Sequence, residues 1–523
     1  MSSTQSVESL QPAAVWSFFA RLSAIPRPSK HEHKVMAWIK EFAASKGLEW
    51  AQDEVGNLVV YRPGTGGGEL APPVIVQGHV DMVTEKNADS SHNFYQDPIT
   101  LVRDGDWLRA NGTTLGADNG IGVATALALL DLEPKVKLPP IEALFTVDEE
   151  TGLTGAFGLD GSMLKGRVLL NLDTEEWPEI FIGCAGGGDS VLKLTLPTQN
   201  IAPSNANNNG KKVLKLEIVV SGLKGGHSGL EIHEDRCNAV QLAARVTNEV
   251  LSKCSAAARL VTIAGGDKRN AIPRECRSVF ALVDDNSDEI DNVQLKNTIA
   301  SIVADVENDA KLEYGSLEAG LTIKAEICEE DGFSNKNRVL TQESAQQLVT
   351  LLLGLPHGVL KYSHSVPGLV ETSSNLASIK EDDVSVPCAE DHKVFRIQCS
   401  TRSSIMPALE RYRQVIRRFG ELCGAEVDQG PAYPGWQPDP NAPIVSIARE
   451  AIASIAGRDP EIKAIHAGLE CGILGEKLPG CQSVSYGPTI KNAHSPEECV
   501  QISTVQPFWE ATLLILQRLA DRK

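Results

Sequence analysis

The sequence is short of positive charge, of long apolar runs and of paired cysteines, and each shortage excludes a class of protein. Forty-nine lysines and arginines against 68 aspartates and glutamates leave a net charge of −19. Such a surface repels nucleic acid and anionic membranes, so neither is expected as a partner. No uncharged apolar stretch reaches the ~18 residues that a membrane helix needs. The opening "MSSTQSVESLQPAAVWSFFARLS" has no basic segment leading into an apolar one, and a cytoplasmic location is expected. The eleven cysteines are odd in number, scattered and never spaced CxxC. That argues against a disulfide framework and a thiolate zinc site, and reads them as reduced, mostly buried small hydrophobes.

What is present is a globular composition, 42% hydrophobic and 22% charged, spread over 523 residues. Single cores stop growing beyond ~250–300 residues, so two domains are expected. Ser29 and Glu32 form an S-x-x-E capping box ahead of the amphipathic "HKVMAWIKEFAASKG", with Gly47 as its stop. A hairpin in "LEWAQDEVGNLVVYRPG" follows, then a strand in "PPVIVQGHVDMV" and a helix in "GIGVATALALLDL". Two more strands, "IEALFTVDEE" and "VLLNLDTEE", complete an α/β pattern with parallel members. From about residue 186 the texture changes to strands around an Asn/Gly loop and a long helix, "NAVQLAARVTNEVLSK". The expected fold is therefore a mixed, largely parallel α/β sheet flanked by helices, formed by 1–185 and 400–523, with 186–399 inserted as an α+β domain. "CAGGGDS" reads as the hinge between them, since it lacks the Lys-Ser/Thr of a phosphate loop.

The chemistry begins at "IVQGHVDMV". His79 and Asp81 are two apart in a β-forming run, so they share a face ~6.5–7 Å apart along the strand. Alone, they read as a core histidine with its partner. Other strand and loop ends add to them: Asp118 in the glycine-bracketed turn "LGADNG", Asp148, Glu149 and Glu150 in "FTVDEETG", Asp173 in "LLNLDTEE" and His494 in "KNAHSPEE". Ser495, Pro496 and Glu498 after His494 spell a second capping box. Three consecutive acids repel one another unless a cation or water neutralises them. Strand ends of an open α/β sheet converge on one crevice. Two imidazoles and several carboxylates gathered there describe a site for two divalent ions, zinc fitting best, with Mn or Co as alternatives. Spacing does not say which of Glu149 and Glu150 would bind metal. A cysteine hydrolase built on Cys237 and His233 has no elbow or orienting partner to support it.

"GHVDMV", "GADNGIG", "DEETGLTGA", "NLDTEE", "GGHSG", "HAGLECG" and "AHSPEE", in that order, resemble the dinuclear-zinc exopeptidase family of aminoacylases, carboxypeptidases and dipeptidases, most closely its aminoacyl-histidine dipeptidase branch. The resemblance implies two divalent ions per subunit. His79 would hold one, Asp118 would bridge both, Glu150 and Asp173 would take one each, and His494 would complete the second. It makes Glu149 the general base for water lying between the ions and Asp81 the residue that orients His79. It makes His227 in "SGLKGGHSGL" a lid histidine that stabilises the oxyanion, often across a dimer, and places Asn270 and Arg402 on the substrate. His466, with Glu470 beside it in "HAGLECG", is a further pocket candidate. The implied activity is hydrolysis of dipeptides with free termini, β-Ala-His among them, by a homodimer whose partner is a small peptide. An acylase, carboxypeptidase or tripeptidase using the same site, or a non-catalytic binding member, is the alternative.

Overall fold

The computed structural model describes residue 7 and residues 9–201, 213–283, 292–328, 338–382 and 391–522. The Asn-rich loop lies largely outside them. The chain forms two compact units, 1–184 with 434–523, and 185–433.

The first unit is built on an eight-stranded sheet. Its strands are β1 (Glu49–Gln52), β2 (Leu58–Arg62), β3 (Val74–His79), β4 (Ile141–Thr146), β5 (Val168–Asn171), β6 (Ile180–Cys184), β7 (Ile462–Ile465) and β8 (Gln482–Ser485). Their order is β1-β2-β4-β3-β5-β8-β6-β7. β3 runs parallel to β4 and β5, β8 parallel to β5, and β7 parallel to β6, whereas β1, β2 and β4 are antiparallel neighbours. The mixed α/β sheet read from the sequence is thus the sheet found.

Strand periodicity sorts its faces. Val74, Val76, Ala143 and Leu170 face one core with helices Ala13–Ser23, Ala117–Leu130 and Ile502–Leu519. Ile75, Leu144 and Leu169 join a smaller core with Cys471, Ile473 and Leu474 of helix Glu470–Lys477. Two residues further along that second face, Gln77, Thr146 and Asn171 replace apolar side chains, all fully buried. After them come the loops that carry the chemistry.

The second unit is an antiparallel sheet. Gly186–Asn200, His392–Ser403 and Val370–Glu381 are its long adjacent strands, and helices Ala239–Lys253, Gln342–Gly354 and Met406–Leu422 belong to the unit. The return to the first unit comes at 434, not at the expected 400. The reason is in the pairing: His392–Ser403 is hydrogen-bonded along its whole length to Gly186–Pro197, and Glu426–Asp428 adds to the same strand. The "KVFRIQCSTRSS" strand and the helix after it are therefore integral to the second sheet. The expected hinge "CAGGGDS" spans the 184/185 boundary, and its glycines already form the start of strand Gly186–Asn200.

Candidate metal centre

All seven site residues expected from the first part of the chain and from its end gather at the carboxyl ends of β3, β4 and β5. His79 closes β3 and is 1% exposed. Its Nε2 lies 3.0 Å from Asp118 Oδ1 and 3.3 Å from Asp173 Oδ1, and its Nδ1 lies 3.3 Å from Asp81 Oδ1. His494 Nε2 lies 3.1 Å from Asp118 Oδ2 and 3.0 Å from Glu150 Oε2. Asp118 therefore offers one oxygen to each histidine. His79–Asp118–Asp173, Asp118–Glu150–His494 and His79–Glu149–Glu150 are each grouped with donor atoms within 4.8 Å of one another.

Buried carboxylates this close repel one another. Glu150 Oε1 and Asp173 Oδ1 are buried without a hydrogen bond, the latter despite its approach to His79. Burial, reinforced by Asp173, Glu150 and Glu470 against the pull of His79, pushes the Glu149 carboxyl well up. Asp173 rises to about 6, again mainly through burial. Burial works against charge on His79, yet Asp173, Asp118 and Asp81 hold its imidazolium well above the usual range. Hydrogen bonds to Asp118 and Glu150 raise His494 to about 11. A set of nitrogen and carboxylate donors with unpartnered oxygens suits zinc, or Mn and Co.

A second set of groups holds the cluster in place; the sequence reading missed Arg27 among them and took Ser29, Glu32 and Glu498 for local caps. The Arg27 guanidinium, 2% exposed, donates to the carbonyls of Val80 (2.9 Å), Asp81 (3.0 Å) and Gly116 (2.5 Å), joining the loops of Asp81 and Asp118. Glu498 accepts from the backbone N–H of Leu115 (2.8 Å), Gly116 (3.0 Å), Ala117 (2.8 Å) and Asp118 (3.3 Å). It gathers the N–H groups of the turn that leads into helix Ala117–Leu130, a turn in which Gly116 takes φ +70° and Asp118 and Asn119 have non-helical backbone angles. No helix starts after Ser495: residues 492–497 form a turn, and Glu498 of the second capping box serves the distant Leu115–Asp118 turn instead. The first box fails likewise. Ser29 Oγ binds Asp81 Oδ2 at 2.8 Å, and Glu32 accepts from Lys30 N and Asp148 N. Asp81 also accepts from the N–H of Glu149 and Glu150, at 3.1 and 3.2 Å, so it fixes their backbone as well as meeting His79. At Gly78 a Cβ would lie 2.2 Å from Asn119 Oδ1, so glycine there lets the Asp118 turn pack onto β3.

Of the other candidates, Glu470 adjoins the cluster, and the rest belong each to its own unit. His466 follows β7 and is buried. Glu470 is fully buried, taking hydrogen bonds from Gln77 (2.5 Å) and Thr146 (2.8 Å), and burial raises it to about 7. His227, Asn270 and Arg402 belong to the second unit, where His227 pairs with Ala271 and Ser228 N donates to the Asn270 carbonyl at 2.8 Å. Burial and then the Arg402 charge lower His227 to about 4.

Imidazoles and carboxylates converging on strand ends around a shared aspartate define the class, a metal-dependent hydrolase of α/β fold. The profile of Peptidase family M20/M25/M40 matches residues 75–518, and the chain belongs to that family. It is 38% identical over 510 residues to the cytosol non-specific dipeptidase of Escherichia coli, covering 98% of each. It is similar to the crystal structure of aminoacylhistidine dipeptidase from Vibrio alginolyticus, with TM-score 0.85, 37% identity and 98% of each chain covered. An aminopeptidase PepT from Bacillus cereus shares the fold at TM-score 0.56 and 15% identity, covering 98% of this chain and 100% of its own.

Proposed function

We propose that the protein is a metal-dependent dipeptidase acting on short peptides with free termini, Xaa-His such as β-Ala-His among them. The observation that carries this reading is the division of Asp118, one oxygen to His79 with Asp173 and the other to His494 with Glu150. His79, Asp118 and Asp173 would hold one divalent ion, and Asp118, Glu150 and His494 the second. Ions bound there would polarise the scissile carbonyl and make water a better nucleophile at neutral pH.

The chain's own groups do the rest. Asp81 orients the His79 ring and, through the Glu149 and Glu150 N–H groups, sets the direction of both carboxylates. Glu149 takes the proton of the attacking water and passes it to the departing amine. His227 donates to the tetrahedral oxyanion. Asn270 and Arg402 grip the peptide, the Arg402 fork matching a free α-carboxylate, and His466 lines the pocket. The name of the Escherichia coli relative supports a cytoplasmic location, and the motif resemblance supports a homodimer with two zinc ions per subunit.

Replacing Glu149 by Ala should lower turnover of β-Ala-His by roughly 10²–10⁴-fold while elemental analysis still finds two ions per chain. Retained turnover would remove Glu149 from the mechanism. A parallel panel of acyl-amino acids and tripeptides, unreacted while dipeptides are cleaved, is the expected specificity.

A further inference from the structure

His227, read above as the oxyanion donor, also caps the turn that follows it. Its Nδ1 accepts hydrogen bonds from the backbone N–H of Gly229 (3.2 Å) and Leu230 (3.0 Å), the bonding of a helix N-cap, and its carbonyl accepts from Glu231 N at 3.1 Å. An Nδ1 that accepts carries no proton, so in the neutral ring the hydrogen sits on Nε2.

The loop is clamped from the other side. Glu231 Oε2 accepts from His227 N at 2.6 Å, and Glu231 Oε1 pairs with Arg236 Nη2 at 2.7 Å. Arg236, buried at 6% side-chain exposure, also binds Glu234 at 2.8 Å and donates to the Gly225 carbonyl. Gly226, at φ +137°, packs so tightly here that a Cβ would lie 2.6 Å from Glu231 Oε2.

We propose that Glu231, seated on Arg236, is a positioning residue that holds the 225–230 loop so that its own N–H groups lock His227 as a neutral Nε2–H donor. This rests on the reading of His227 as the oxyanion donor. Glu231 acts only through the histidine. The donor needs no proton from solvent and cannot act as a base through Nε2.

The lock is read on the full-length protein labelled with ¹⁵N-histidine, His227 being identified by the signal lost in His227→Ala. The Nε2–H pattern between pH 6 and 8 is expected; an Nδ1–H tautomer or an imidazolium overturns the proposal. The positioning role is read from kinetics of the metal-loaded enzyme on β-Ala-His. Glu231→Ala should lower kcat about tenfold with KM within twofold, Glu231→Gln should restore much of that loss, and Glu231→Ala should add nothing in a His227→Ala background. An equal loss in that background, or no loss in the parent, overturns it. A fully active His227→Ala would instead defeat the oxyanion reading, and the nitrogen spectrum would still decide the tautomer.

Discussion

The strand-end cluster of the first unit and the His227 loop of the second treat the same side chain in opposite ways. His79 and His494 are surrounded by carboxylates that outnumber them, and both are driven towards the charged form, His494 to about 11. His227 is half-buried beside Arg402 and falls to about 4, with both sides of its loop tied by backbone and ion-pair bonds. One region is electrostatically incomplete and the other is closed on itself. An incomplete anionic site suits cations, while the closed one ties its imidazole through the N–H groups of its own loop.

The largest test of that contrast is removal of the ions. Imidazoles must be neutral to ligate, so loading the ion-free protein at pH 7 should release about one to two protons. Calorimetric titration in two buffers of different ionisation enthalpy measures this. The sign follows from the raised folded values: below them the ion-free cluster holds the protons, and the cations displace them. Chelation should abolish turnover and lower the thermal midpoint by on the order of 5 °C, since ligand binding at 100-fold excess over Kd contributes about 2.7 kcal/mol. Loading without proton release would mean that the imidazoles are already neutral in the ion-free cluster, and the contrast with His227 would fall.

After the loss of all turnover comes a loss of stability alone, at Arg27, the buried cation that the cluster already owns. Three carbonyls depend on it, in the loops carrying Asp81 and Asp118, and Glu498 and Asp81 offset the cost of burying its charge. Arg27→Met should destabilise the protein by about 3–5 kcal/mol, as breaking a buried, hydrogen-bonded charge does. Denaturant midpoints check it, and the loss should be greater without metal, when the carboxylates have no other positive neighbour apart from the histidines. An equal loss in both states would show that Arg27 only ties loops together.

What the sequence makes legible follows from how far each signal reaches. The alternation of β3, β4 and β5 with the helix Ala117–Leu130 is local, and so are the strand-end positions of His79 and Asp173. Hydrogen bonds across the chain are not. Arg27 serves carbonyls 53, 54 and 89 residues away, with no periodicity to betray it. The return point slipped from 434 to 400 for the same reason, because the pairing of His392–Ser403 with a strand some 200 residues earlier leaves no local mark. Both S-x-x-E boxes were read as local caps, whereas their glutamates reach across the fold.

Glu498 gives the smallest effect and the sharpest distinction. Its four N–H donors include that of Asp118, so its carboxylate fixes the backbone from which the shared ligand projects. Glu498→Gln keeps the shape, but one oxygen becomes an amide that faces donors with a donor. Two of the four N–H groups then lose their acceptor in a buried site, a cost of about 1–3 kcal/mol. Thermal melts should show this loss with and without metal alike, because the donors are backbone groups and no ion replaces their acceptor. If ions restored the variant's midpoint to that of the parent, Glu498 would belong to the electrostatics of the ion site, and the line drawn between ligands and caps would have to move.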